Sequence, residues 1–124
     1  AKIALEIAHT DVMRAPALAA LSRAQTALGR IDDALRHARA ACALLDRVQC
    51  IFQTYLEALV RLALPEALHA AGQEQAAREA LFDARKWLLE LAARFTDEAL
   101  RRSFCERVFE HARILALAES WLAA

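Results

Sequence analysis

Apolar residues recur at steps of three and four along most of this chain, and the pattern is strongest over residues 56–91. Residues three and four apart lie on one face of a helix, so this stretch predicts two amphipathic helices joined at residues 70–74. The recurring positions are Leu56, Leu59, Ala63 and Ala67 before the turn, and Ala77, Leu81, Ala84, Leu88 and Leu91 after it. The central feature of the predicted fold is therefore a helical hairpin.

A shorter unit precedes this hairpin. Residues 2–9 read as the last turns of a helix, and the pattern breaks at residues 11–15. Pro16 suits the first turn of a new helix, and Gly29 can take the left-handed conformation that closes one. We therefore predict a helix over residues 15–28.

The next two helices are predicted from capping and periodicity. Asp32 or Asp33 can cap a helix that turns its small residues inward, so that two helix axes approach closely. The inward set is Ala34, Leu35, Ala38, Cys42 and Leu45. A third helix runs from about Val48 to Ala70, and Pro65 predicts a kink or a brief interruption at residues 62–64. Because residues 56–68 are apolar on nearly every face, this helix is either central in the fold or covered by a partner chain.

Two further helices complete the prediction, one over residues 74–95 and one over residues 97–122. Thr96 is the predicted cap of the last helix, and Phe95 can pack on Leu100. Its predicted inner stripe is Leu100, Phe104, Val108, Leu115 and Leu122, with a second stripe of Phe109, Ala112, Ala116 and Trp121.

Composition supports an all-α single domain, because Ala and Leu dominate and only 2 Gly and 2 Pro are present. A net charge of zero with interspersed signs argues against nucleic-acid binding. No apolar run reaches the length of a membrane span, and three irregularly spaced cysteines fit reduced thiols. We expect a cytoplasmic protein and, because Ala1 lies in mid-pattern without an initiator Met, a fragment of a longer chain.

Aligning Gly72 on Gly29 also aligns Ala77 with Ala34, Leu81 with Ala38 and Ala84 with Ala41. This pattern resembles the second half of a tetratricopeptide (TPR) repeat, and Leu18, Leu21 and Gln25 stand at places of its first helix. The resemblance implies a TPR-like superhelical array of antiparallel hairpins: one repeat over residues 15–48, an extended repeat over residues 49–95, and a capping helix over residues 97–122. The offset of the glycines, 43 residues, exceeds the usual ~34, which is why the second repeat must be extended.

Residues 84–89 and 96–108 resemble the end of the TPR region in large multidomain signalling ATPases of the AAA/STAND type. That family commonly has Pro and Asn where this chain has Phe109 and His111. The resemblance implies a regulatory module whose ATPase motifs lie elsewhere, because this chain has no P-loop motif.

Two sequence patterns could carry chemistry instead. The pairs Glu6-x-x-His9 and Glu66-x-x-His69 have the spacing used by helical-bundle di-iron proteins, although the helix around residues 32–46 supplies no Glu. Cys42 with His37, and Cys105 with His111, are candidate zinc or nucleophile pairs, but separations of five and six do not share a helical face. Both patterns fit coincidence better, so we predict no metal, no cofactor and no enzymatic activity.

The favoured prediction is an interaction or oligomerisation module. In TPR arrays the first helices line a concave surface, which here would present four groove candidates: Arg23, Thr26, Glu66 and His69. A carboxylate-bearing extended peptide could lie there. The predicted partners are a protein or peptide, other domains of the parent chain, or a second copy in a homodimer, with no nucleic acid and no membrane.

Overall fold

The computed structural model describes the backbone of residues 2–48 and 54–122, and the side chains of residues 14–45 and 57–122. Within these ranges every regular element is a helix, which confirms the all-α prediction. The helices are α1 (Lys2–Ala27), α2 (Ile31–Val48), α3 (Thr54–Ala70), α4 (Glu74–Ala92), α5 (Glu98–Arg107) and α6 (Phe109–Trp121).

The same glycine turn closes α1 and α3. Gly29 and Gly72 both have φ of 80°, a left-handed conformation that costs a glycine nothing. The N–H of the residue after each glycine donates to a carbonyl five residues earlier, from Arg30 to Gln25 and from Gln73 to Leu68, each at 2.9 Å. This is the Schellman arrangement. The predicted roles of both glycines are confirmed.

Helix α1 corrects the prediction for the start of the chain. It runs without a break from Lys2 to Ala27, so the predicted break at residues 11–15 and the helix start near residue 15 are both wrong. Pro16 lies inside this helix. Its fixed φ is itself helical, so a proline there costs one hydrogen bond and local crowding without forcing the chain to end the helix. Burial of the neighbouring Ala15 and Ala19 holds the helix in place.

Helices α2 and α3 differ from expectation at their ends and at Pro65. Helix α2 begins at Ile31, so Asp32 and Asp33 lie in its first turn instead of capping it, where their charges still favour the positive end of the helix dipole. Helix α3 begins at Thr54 and continues through Pro65, so the predicted interruption is wrong, and the alternative of a kink stays a prediction. The helix start that was predicted near Val48 adjoins residues 49–53. These residues lie outside the described part of the chain, so the structure does not test this start.

The end of the chain forms two helices where one was predicted. Helix α4 ends at Ala92, and α5 is capped by Asp97 and not by Thr96: the Asp97 carboxylate accepts the N–H groups of Ala99 at 2.8 Å and Leu100 at 3.1 Å. Val108 has an extended backbone, with φ −89° and ψ 119°, and separates α5 from α6.

This break resets the helical phase, so the predicted stripes hold only in part: Phe104, Leu115, Leu122 and Trp121 are partly buried and pack on the second core cluster. The residues of α6 that are buried are His111, Ile114, Leu117 and Ala118. Leu100 and Phe109 are instead exposed. A continuous helix would have kept one phase across Val108, whereas two helices each choose their own buried face.

Helix α3 lies at the centre of the packing. Of the two explanations predicted for its apolar faces, a central position in the fold therefore applies. One core cluster joins it to α1 and α2, and a second joins it to α4 and α6. Its fully buried residues include Ala58, Leu62, Ala63 and Ala67. Close packing of α1 on α2 uses fully buried alanines at positions 34, 38 and 41, and the Ser22 hydroxyl donates to the Ala34 carbonyl at 2.6 Å.

Candidate functional site

Three charged side chains from three helices meet on one face of α3. Glu66 accepts from Nε of Arg23 on α1 at 2.7 Å and from Nε of Arg113 on α6 at 3.4 Å, using a different carboxylate oxygen for each. Glu66 is mostly buried, whereas Arg113 is nearly half exposed. We call Arg23, Glu66 and Arg113 the Glu66 cluster. One carboxylate faces two guanidinium groups, so the cluster carries a net positive charge.

An exposed aromatic ring adjoins the Glu66 cluster. The guanidinium of Arg23 lies over the ring of Phe109, 5.5 Å from its centroid, and 62% of Phe109 is exposed to solvent. Such a cation–π contact orients Arg23 while leaving the other face of the ring open. The surface therefore combines a basic group with an open apolar one.

The four predicted groove residues divide into two pairs. Arg23 and Glu66 are in direct contact, and each lies six residues before the glycine that closes its helix. Thr26 and His69 each lie three residues before that glycine. The Thr26 hydroxyl donates to the Ser22 carbonyl of its own helix at 3.0 Å, and the His69 ring stacks on Trp121 with 4.4 Å between centroids.

Sequence reasoning missed Arg113, Phe109 and Trp121 as neighbours of the predicted groove. It placed Phe109 and Trp121 on an apolar stripe of one long helix and gave Arg113 no role. The break at Val108 brings α6 against α3, and no glycine or proline near Val108 signals that break.

The candidate metal pair of α3, Glu66 and His69, contacts other side chains in the structure. Both oxygens of Glu66 face arginines, and His69 packs on Trp121, so this pair does not converge on a shared point. Glu6, His9 and Cys50 lie outside the described side chains. Among the described side chains, no group of three or more metal-ligating residues comes together.

In each candidate thiol pair, the histidine uses its Nδ1 on a partner other than the cysteine. His37 shares its Nδ1 hydrogen bond with Gln25 at 2.7 Å, and His111 uses Nδ1 on the carbonyl of Phe104 at 2.8 Å. Burial raises the pKa of the Cys105 thiol, Glu106 raises it further, and Arg101 opposes them. Cys105 is therefore protonated at neutral pH, the form that is a poor nucleophile.

His111 is the one buried polar side chain of α6. It packs between the rings of Phe104 and Trp87, with centroids 4.4 and 6.4 Å away. Because a carbonyl only accepts hydrogen bonds, Nδ1 must carry the proton that it shares with Phe104. The other nitrogen, Nε2, is buried without a hydrogen-bond partner among the described residues. The imidazole thus joins the end of α5 to α6 inside an aromatic cluster.

No protein-family model matches this chain, and neither curated proteins nor solved structures include one that matches it. Within the described residues, no helix has the length and apolarity needed to cross a membrane. The site therefore has to be interpreted from its own geometry.

Replacing Glu66 with Gln is expected to lower the free energy of unfolding by about 1 kcal/mol, because two guanidinium groups lose their shared counter-charge. Added salt should weaken the wild-type protein more than the variant. Urea unfolding at low and high ionic strength measures both effects. Glu57→Gln is the matched control: its partner Arg61 lies one turn away on the same helix, at 2.9 Å, so only a few tenths of a kcal/mol should be lost. Equal losses in the two variants would contradict a role for Glu66 in joining helices.

Proposed function

We propose that this chain is a non-catalytic, TPR-like helical-repeat module that serves protein–protein interaction or oligomerisation within a larger signalling or regulatory protein. The observation that carries the proposal is the contact between Arg23 and Glu66. These residues occupy the same position relative to the closing glycine of their helices, and they touch at 2.7 Å. Contact between equivalent positions of successive hairpins is what stacking of a repeated unit produces.

The packing of α6 supports the same interpretation. Helix α3 packs against both helices of the hairpin before it, α1 and α2, and α6 packs against both helices of its own preceding hairpin, α3 and α4. Helix α6 thus takes the place of the first helix of a third unit. The short helix α5 connects α4 to α6. A regular helical-repeat array has no such helix.

The exposed apolar side chains support an interaction role. Single exposed apolar residues are ordinary, but repeat proteins normally end in polar faces, because an apolar end face would invite association. Here Leu21 of α1, Leu28 directly after α1, and Phe109 of α6 are exposed. Both terminal helices of the described stack therefore offer apolar contacts to another protein surface.

Sedimentation velocity over a wide concentration range, together with binding of an apolar fluorescent dye, tests the proposal. We expect association, dye binding or both, each reduced in the double variant Leu28→Gln/Phe109→Gln while its unfolding free energy stays within about 0.5 kcal/mol of wild type. Arg78→Gln, an exposed change on α4, is the control and should leave both readouts unchanged. A protein that remains monomeric at every concentration and binds no dye would refute the proposed role.

A further inference from the structure

Helices α5 and α6 meet at a single residue, Val108, whose backbone is extended. That conformation suits a residue that caps the start of a helix, but a valine side chain cannot accept the hydrogen bonds of a cap, and none is made. No glycine closes α5, which ends at Arg107. The chain therefore turns at a residue whose side chain stabilises neither helix end.

The turn leaves backbone groups unpaired on both sides of Val108. Within the described part of the chain, the N–H groups of residues 109–111 have no backbone acceptor, and the C=O groups of residues 105–107 have no backbone donor. In a continuous helix each N–H donates to the carbonyl four residues before it. A helix that ran straight through Val108 would therefore pair these groups with one another.

A straight helix would also align side chains that the turn now separates. The residues concerned follow one another at steps of four and three across Val108, a spacing that places them on one helical face. They are Leu100, Phe104, Val108, His111, Leu115, Ala118 and Leu122. In the turned form 58% of Leu100 is exposed, whereas His111 and Ala118 are buried. No glycine or proline occurs between residues 98 and 121, so the local sequence favours one helix and the packing of α6 favours two.

Straightening at Val108 would carry α6 away from its own core. Helix α6 packs on α3 and α4, where Ile114 is fully buried in the second core cluster. Because residues 93–97 tie α5 to the end of α4, the chain reaches that place by turning at Val108. Without α6, Leu62 and Leu88 of the cluster would be exposed to water. A second straightened copy supplies an identical α6, which can fill the place with the same contacts.

We propose that two copies of this chain exchange α6: Val108 becomes helical in both, and the α6 of each copy packs on α3 and α4 of the other. This inference rests on the proposed oligomerisation function and specifies its contact. The dimer keeps the contacts of α6 with α3 and α4 and pairs the backbone groups at the hinge. It gives up the hydrogen bond and ring contact between His111 and Phe104, because residues seven apart in a straight helix lie about 10 Å from each other. The exchange is reciprocal, so it closes at a dimer.

A matched pair of substitutions at Val108 tests the hinge. Val108→Asn supplies a side chain that caps α6 and stabilises the turned form, whereas Val108→Ala favours a continuous helix. Both remove the same apolar side chain, so the loss of its packing is common to them. After refolding from urea at high concentration, sedimentation velocity should show monomers and dimers of the wild-type protein. The dimer dissociation constant of Val108→Asn should exceed that of Val108→Ala by about tenfold or more, because each dimer contains two hinges.

Reversed charges in the Glu66 cluster test whether the contact of α3 with α6 forms between chains. Glu66→Arg and Arg113→Glu each place like charges at this contact, in the monomer and in an exchanged homodimer alike. In an exchanged dimer with one copy of each variant, the native Glu66 meets the native Arg113, and the two substituted residues meet with opposite charges. An equimolar mixture refolded together should therefore dimerise at a concentration about tenfold lower than either variant alone.

The double variant Glu66→Arg/Arg113→Glu is the control. It restores opposite charges within each chain, so it should fold and associate like wild type. Circular dichroism reports the folding of each protein, and a single variant that does not fold alone should recover its helical signal in the mixture.

Three results would overturn the exchange of α6: equal dissociation constants for the two Val108 variants, a mixture that associates no better than its components, or a wild-type protein that stays monomeric after refolding. Wild-type association despite either of the first two results would leave the broader interaction function standing. A monomer that still binds the apolar dye would do the same.

Discussion

Replacing His111 with alanine is expected to lower the free energy of unfolding by about 3 kcal/mol. The imidazole is 1% exposed and packs between Phe104 and Trp87, so its loss leaves a cavity in the aromatic cluster. It also removes the donor that pairs with the Phe104 carbonyl at 2.8 Å. That carbonyl lies in the last turn of α5, where helix carbonyls have no partner within the helix.

His111→Leu separates these two contributions, because leucine fills much of the space and offers no donor. Its expected loss is about 1 kcal/mol, since the unpaired carbonyl is partly offset by removal of an Nε2 atom that had no partner. Urea unfolding gives both values, and hydrogen exchange should show faster exchange of α5 amides in both variants. Losses of equal size in the two variants would show that filling the space contributes nothing, and would contradict the packing described for His111.

The sequence specified those features of the fold that depend on nearby residues. A glycine with positive φ closes a helix by local geometry alone, so Gly29 and Gly72 could be placed before any packing was known. The buried alanines at positions 34, 38 and 41 follow from helical spacing in the same way. Arg23 and Glu66, two of the predicted groove candidates, occupy the same position relative to those glycines, and their contact follows from that register.

Features decided by packing between distant segments could not be read from the sequence. The break at Val108 costs backbone hydrogen bonds that no local residue type demands, and burial of His111 and Ile114 against other helices offsets that cost. Once the phase of α6 was misplaced, Arg113 and Phe109 could not be assigned to the neighbourhood of Glu66. The helix start predicted near Pro16 and the interruption predicted before Pro65 were wrong for the same reason. Packing against distant segments holds α1 and α3 helical through both prolines.

Replacing Pro16 with alanine is expected to raise the free energy of unfolding by about 2 kcal/mol. Inside a helix, proline lacks the N–H that would donate to Val12 and its ring crowds that carbonyl, a cost of about 3 kcal/mol relative to alanine. Alanine also gives the unfolded chain more conformational entropy, which lowers the free energy of unfolding by up to about 1 kcal/mol and offsets part of the gain. If a helix instead began near residue 15, Pro16 would occupy its first turn, where the missing N–H costs nothing, and the substitution would not stabilise the protein.

Pro65→Ala is the matched control for this prediction. Pro65 also lies inside a helix, but its ring is fully buried, so the regained hydrogen bond comes with a loss of packed carbon atoms. Its expected change is therefore smaller than that of Pro16→Ala, or of opposite sign. Urea unfolding of both variants measures the difference. An unchanged stability in Pro16→Ala would contradict a continuous α1, because only an unbroken helix on both sides of Pro16 makes the missing hydrogen bond costly.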